Sequence, residues 1–274
     1  MKKYGYLILL FVFSSTLYCQ NKTEKSKKEL NSNSSSSSSS TTTSRSSGSD
    51  NGEELGLAAE LFLNIGLGVF KYGLIGDYTM EDHLYNKVSE YPFYNNKSGN
   101  YDGCDTVVVE KNKFRIDFED KFLYSNNDLF GNHINLKIRP FQYFYLQADF
   151  RLIVEINRID ATNNSLSLSH FNLCYDRVRT GKFDFGWSLG ASYVGNEVKK
   201  GGFSYGLSAN YFMTKNFSFS GSAKWSKING HPVNAFEIEG KLHRKKCFFT
   251  GGFEHLKIAT PTYNFISLGG GIYL

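Results

Sequence analysis

The chain has 274 residues, 31 Lys and Arg against 26 Asp and Glu, a net charge of +5 and an aromatic share of 16%. No basic stripe stands out, which argues against a nucleic acid as partner. The aromatic share is high for a soluble domain, and P-loop, dinucleotide and zinc signatures are absent, so neither a metal nor an organic cofactor is expected.

Residues 1–19 read as an export signal peptide. Lys2 and Lys3 form a positive start, and residues 7–13 are an apolar run too short to span a bilayer. Cleavage ahead of Gln20 removes two lysines and no acids, so the charge falls from +5 to +3. Cys19 offers an alternative, as the acceptor of a lipid anchor.

Residues 20–54 read as a disordered, Ser-rich tether. The serine run at 34–40 and the threonines after it have almost nothing to bury, so they cannot offset chain entropy. Residues 55–112 read as a periplasmic helix followed by a connector. Over 55–76, Glu60, Asn64 and Lys71 form a narrow polar stripe on an apolar cylinder, which favours a helix at the membrane surface or barrel rim. Leu61, Leu63, Ile65, Leu67 and Val69 also alternate, so 61–72 and 104–111 could instead add two strands. Residues 77–112 keep no period, apart from a short extended piece at 106–109.

From residue 113 a two-residue rhythm sets in. Phe114, Ile116, Phe118, Phe122 and Tyr124 share one face, and Arg115, Asp117, Glu119 and Lys121 the other. The rhythm recurs ten times to the last residue, with short turns alternating with longer links. This predicts an all-β fold, an antiparallel transmembrane β-barrel of about ten strands over 113–274, apolar outside and polar inside. A change of phase near His170 suggests a bulge. Phe141, Tyr143, Phe183, Tyr211, Phe217, Phe248 and Phe249 sit beside the short turns as an aromatic girdle. An even strand number puts both barrel ends in the periplasm, with the N-terminal segment.

The last eight residues carry a further pattern. Ser267, Gly269, Ile272 and Leu274 match a polar residue, a glycine and two closing hydrophobic residues. This resembles the assembly signal of small bacterial outer-membrane barrel proteins, and Leu274 departs from the commoner terminal Phe. The richness in Tyr and Asn and the ending of the signal resemble such proteins from Bacteroidota. The resemblance implies a place in the outer membrane of a Gram-negative cell, with outer-membrane lipid and the barrel-assembly machinery as partners.

The inward face holds the candidate site. Arg115, Asp117, Glu119, Lys121, Lys137, Arg139, Asp149, Arg151, Glu155, Glu237, Glu239 and Lys241 are predicted to line the lumen, with Glu254 beside them. Charges of both signs in a narrow barrel pair across it, which closes the interior. A porin-like path for small solutes is the rival, because Gly and Ser on the fifth to seventh strands leave room on that wall. No catalytic residue is expected. His133 near Ser125, and His170 beside Ser167 and Ser169, are neighbours in sequence rather than a triad, so a lipid-modifying enzyme ranks below both. Cys104, Cys174 and Cys247 match no metal spacing; Cys174 and Cys247 read as space-filling at strand positions, and the alternative is one disulfide with one thiol left over. The expected role is that of a non-enzymatic barrel, structural or binding a periplasmic or envelope protein through 55–112 or the loops.

Overall fold

The computed structural model describes residues 21–32, 66–94, 99–102, 114–126, 128–158 and 162–274. The predicted signal peptide with Cys19, the serine run, residues 55–65, Cys104 and the extended piece at 106–109 lie outside the described residues. In chain order there follow helix α1 (Lys22–Asn31), a wide π-helical piece (Val69–Ile75), a 3-10 turn (Asp82–Tyr85), and two-residue strands β1 (Lys87–Val88) and β2 (Tyr101–Asp102). The barrel strands are β3 (Arg115–Asn126), β4 (Leu129–Arg139), β5 (Phe144–Asn157), β6 (Thr162–Arg179) and β7 (Phe183–Val194), then β8 (Lys200–Thr214), β9 (Phe217–Ile228), β10 (His231–Arg244), β11 (Cys247–Ile258) and β12 (Thr262–Tyr273).

These ten strands form one closed antiparallel barrel in which each pairs with its neighbours in the chain. The seam joins β12 to β3, from Ile266↔Tyr124 to Tyr273↔Asp117. Two backbone hydrogen bonds of 2.8 Å between Ile116 and Leu274 finish it. Closure leaves no strand edge unpaired, which a structure in hydrocarbon requires. The outer wall is a band of exposed apolar side chains, among them Phe118, Phe122, Phe150, Phe171, Leu207, Phe236, Phe253 and Leu268. So continuous a band is stable only against lipid, so the barrel spans a membrane.

The barrel's own two ends and the turns after β4, β6, β8 and β10 share one mouth, called the near mouth here. The links after β3, β5, β7, β9 and β11 surround the far mouth. The segment described over residues 66–94 and 99–102 covers the near mouth. Its helical piece lies on the outer wall, where Trp187 Nε1 donates to Leu74 O at 2.9 Å and the Tyr175 hydroxyl donates to Ile75 O at 2.5 Å. Leu67, Phe70 and Leu74 are exposed there, facing the same lipid as the strands.

Three expectations are corrected. The tether predicted from residue 20 begins with a helix, because α1 docks in the far mouth and the barrel supplies contacts its own sequence lacks. There is no bulge at His170, since β5 and β6 pair without a break from Phe144↔Tyr175 to Asn157↔Thr162. The register shift falls later, between Asp176 and Val178. Leu166 and Leu168 change the phase because they turn inward to line the far mouth. Phe248 is no girdle residue: it is buried inside the barrel, its ring 5.0 Å from that of Tyr273.

Candidate functional site

The middle of the lumen is crossed by ion pairs. Lys121 on β3 reaches Glu237 and Glu239 on β10 and Glu254 on β11, with Nζ at 2.6 Å from Glu239 and 3.2 Å from Glu254. Arg151 on β5 donates to Glu254 at 2.9 Å and to the neighbouring Asp149. Asp149 also holds Lys224 from β9, and His170 at 3.1 Å. Lys241 bridges Glu119 at 2.8 Å and Glu239 at 3.0 Å. Strand alternation sends all of these inward, and their length lets opposite walls meet.

The opposite wall is built of small residues. Gly186, Ser188 and Gly190 on β7 pair with Ser208, Gly206 and Ser204 on β8. Their small size makes room for the long charged side chains. Two cavities of about 30 Å³ each, room for a water or two, lie among the described lumen residues. Lys137 lines both, and Ser188, Ser208, Ser220 and Ser222 line one.

Towards the near mouth the barrel is sealed against its cover. Arg115 Nε lies 2.7 Å from Asp117, and Arg139 lies 3.4 Å from Asp117 and 3.1 Å from Asp176. The cover enters this network directly. The Tyr101 hydroxyl donates to Asp176 at 2.5 Å, Asn100 donates to Asp184 at 2.9 Å, and Arg115 donates to Ser89 O at 3.1 Å. Arg179 donates to Leu84 O, and Arg177 grips Glu81 with two bonds of 2.8 Å. Those Arg177 bonds, with a backbone donor at Asp77, hold the Glu81 carboxyl below the ordinary carboxylate range. Burial pushes the His83 imidazole down, against the pull of Glu81. Gly99 sits at φ +75°, where a Cβ would stand 2.1 Å from Gly181 O, so only glycine fits this approach of cover to β6–β7 turn.

The far mouth differs in chemistry. Leu123, Leu129, Ile153, Leu166, Leu168, Val194, Ile228, Val233, Leu256, Ile258 and Phe265 point inward and form an apolar layer with Leu30 of α1. Glu155 stands at the helix start. Its carboxylate accepts from Lys22 N at 3.1 Å, Thr23 N at 2.8 Å and the Thr23 hydroxyl at 2.6 Å. The helix has no side-chain cap of its own, so the barrel supplies one. The Ser26 hydroxyl reaches Ile258 O at 3.0 Å and the Tyr263 hydroxyl at 2.8 Å. Lys27 pairs with Glu197 at 3.0 Å, while Lys200 and Asn229 donate to Leu30 O. Partial burial raises the Glu29 pKa, but hydrogen bonds from Thr260 outweigh it and leave that carboxyl low.

The sequence-predicted residues therefore fall at different levels. Arg115 and Arg139 meet the near cover, with Asp117 paired to both; Glu119, Lys121, Asp149, Arg151, Glu237, Glu239 and Lys241 meet one another; Glu155 meets α1. Of the assembly-signal residues, Ser267 is buried inside, Gly269 pairs with Lys121 at the seam, and Ile272 and Leu274 face outward. Lys224, Asp176 and Asp184 were missed. Lys224 and Asp184 stand on inward strand positions amid short or neutral residues, where inward parity was the one available signal, and Asp176 lies beside Arg177 at the register shift of β6.

Two arrangements look like chemistry. His133, Glu237 and Glu254 bring ligand atoms within 4.8 Å of one another. The Lys121 ammonium pairs with both glutamates, so a positive charge already stands where a cation would. The Ser218 hydroxyl lies 2.7 Å from His243 Nε2, whose Nδ1 is 3.2 Å from the Tyr273 hydroxyl. A nucleophilic serine needs a base oriented by an acid, and this histidine meets a phenol instead.

No family model matches the chain, and no curated protein matches it. Solved structures do align. An outer-membrane channel from Pseudomonas putida F1 is 8% identical, covering 59% of this chain and 95% of that one at a TM-score of 0.37. The KdgM porin is 9% identical, covering 58% and 98% at a TM-score of 0.36. Ail, the attachment invasion locus protein of Yersinia pestis, is 9% identical, covering 59% and 97% at a TM-score of 0.29. All three values are low, and the barrel stands on its own strand pairing.

Proposed function

We propose that this chain is a closed, non-enzymatic outer-membrane barrel whose role is structural or partner-binding and is exercised at its mouths. One observation carries this reading: the lumen is crossed by the Lys121 and Arg151 ion pairs and covered at both ends by the chain's own segments. Outer-membrane lipid meets the aromatic and aliphatic wall, and the barrel-assembly machinery reads the β12 end. An envelope protein is the partner class left for the mouths. The test is reconstitution in planar bilayers. Purified protein is expected to leave the bilayer silent, and steady single-channel steps would overturn the closed reading.

The rival reading is a narrow pore. The small cavity lined by Ser188, Ser208, Ser220 and Ser222 favours it, because it lies along the wall of small residues. If conductance does appear, Ser208→Trp, which fills that wall, should abolish it.

A further inference from the structure

Three turns at the near mouth carry charge of one sign. The β6–β7, β8–β9 and β10–β11 turns bring Lys182, Lys215, Arg244, Lys245 and Lys246, and residues 180–183, 214–217 and 243–247 hold no acid. Backbone hydrogen bonds join these turns into one arc of the rim. Phe212 N donates to Lys182 O at 2.8 Å, His243 N to Asn216 O at 2.8 Å, and Tyr273 N to Lys246 O at 2.7 Å. Glu90 of the near cover takes Lys246 at 3.1 Å. Lys182, Arg244 and Lys245 are exposed, and their side chains make no ion pair or hydrogen bond among the described residues. The far links differ: Arg158 pairs with Asp128 at 2.5 Å, and Glu197 with Lys27 at 3.0 Å.

Below the arc the outer wall is an apolar ledge, with Phe183, Tyr211, Met213, Phe219, Leu242 and Phe249 all exposed. A strand advances about 3.3 Å per residue, so these side chains lie close beneath the cations. Lipid whose chains cover the ledge therefore ends in headgroups at the level of the turns. Lysine and arginine stems lie along such a wall with their charged ends among the headgroups. A phosphate there meets cations that the protein leaves unpaired. A zwitterionic headgroup brings its own ammonium and gains less than one of net negative charge. A free inorganic anion has no chains for the ledge.

We propose that this arc binds anionic phospholipids, of the phosphatidylglycerol or cardiolipin class, in the leaflet at the near mouth. The site rests on the reading of the outer wall as lipid-facing, and it holds whether or not the lumen conducts.

The two tryptophans of the chain supply the test. Trp187 lies four residues from the near end of β7, and Trp225 three from the far end of β9. Full-length Trp225→Phe and Trp187→Phe, each with one tryptophan left, are reconstituted in phosphatidylcholine bilayers, and quenching by brominated lipid is measured. Brominated phosphatidylcholine should quench both tryptophans. At Trp187 brominated phosphatidylglycerol should be preferred over it by at least about fivefold, the equivalent of one unpaired cation, and at Trp225 the two should be nearly equal. Lys182→Gln, Arg244→Gln and Lys245→Gln together should abolish the preference at Trp187. Unheated gel mobility shows whether that variant is folded; if it is not, each substitution alone should lower the preference by at least about twofold. No preference at Trp187, the same preference at Trp225, or an undiminished preference in the folded variants would each overturn the proposal while leaving the lipid-facing wall intact. Failure of brominated phosphatidylcholine to quench either tryptophan would overturn that wall, and this site with it.

Discussion

At the scale of single residues, the interior turns on a few side chains that hold several partners each. Lys121 is wholly buried and serves three glutamates. Removing it as Lys121→Ala leaves those carboxylates buried without their cation, a loss of about 3–5 kcal/mol. The expected readout is a sharply lower unfolding temperature in detergent, together with loss of the compact band in unheated gels. Lys182, exposed on a near-mouth turn, is the control, and Lys182→Ala should change neither. Gly99 is a second such point. Gly99→Ala forces a side chain into Gly181 O at a positive φ, so the near cover should exchange its amides faster while the barrel strands keep their protection. Strand parity exposed Lys121 as inward-facing. It could not reveal which carboxylates on β10 and β11 it meets, because strand tilt and stagger decide what lies opposite across a barrel.

At the scale of elements, the two covers behave differently from the wall. The near cover is held to β6 by Arg177 and Arg179, and its Glu81 and His83 both have folded-state pKa values below the ordinary 4.5 and 6.5. A depressed value means the undocked form binds the proton first, so stability is whole above the ordinary value and falls as pH drops through the window beneath it. His83 therefore weakens the cover below about pH 6.5, and Glu81 adds to this below about pH 4.5. Hydrogen exchange at pH 7 and pH 4 should show residues 76–94 opening in acid ahead of β3 to β12. The helix over 66–75 was legible from its apolar cylinder. Helix α1 was not, because KTEKSKKELN has one apolar residue, and the cap and the apolar wall that order it come from more than a hundred residues away.

At the scale of the whole molecule, α1 and the barrel ends lie at opposite mouths. A barrel that spans a membrane must then show them to opposite sides. With the other cysteines replaced by serine, Lys28→Cys and Lys245→Cys should react differently with a membrane-impermeant maleimide in intact cells, one labelled and the other protected. Equal labelling would contradict the placement of α1 in the far mouth. The ten strands, their alternation and the polarity of the two faces were readable from residue 113 onward, because a pleated strand repeats every two residues whatever lies around it. The same period misled where inward residues are apolar, at Leu166 and Leu168, since polarity stops reporting direction at a mouth with its own hydrophobic layer.

What the sequence alone determined is the local rhythm: a period of two, turns between, and a wall whose outer face belongs in lipid. Only the tertiary structure decided that the cylinder is filled, with Lys121 on Glu237, Glu239 and Glu254, and that both its mouths are covered by the chain's own N-terminal segments. The reason is distance along the chain. Alternation is a property of neighbours, whereas pairing across a lumen and docking at a mouth join residues whose meeting depends on how the whole sheet closes.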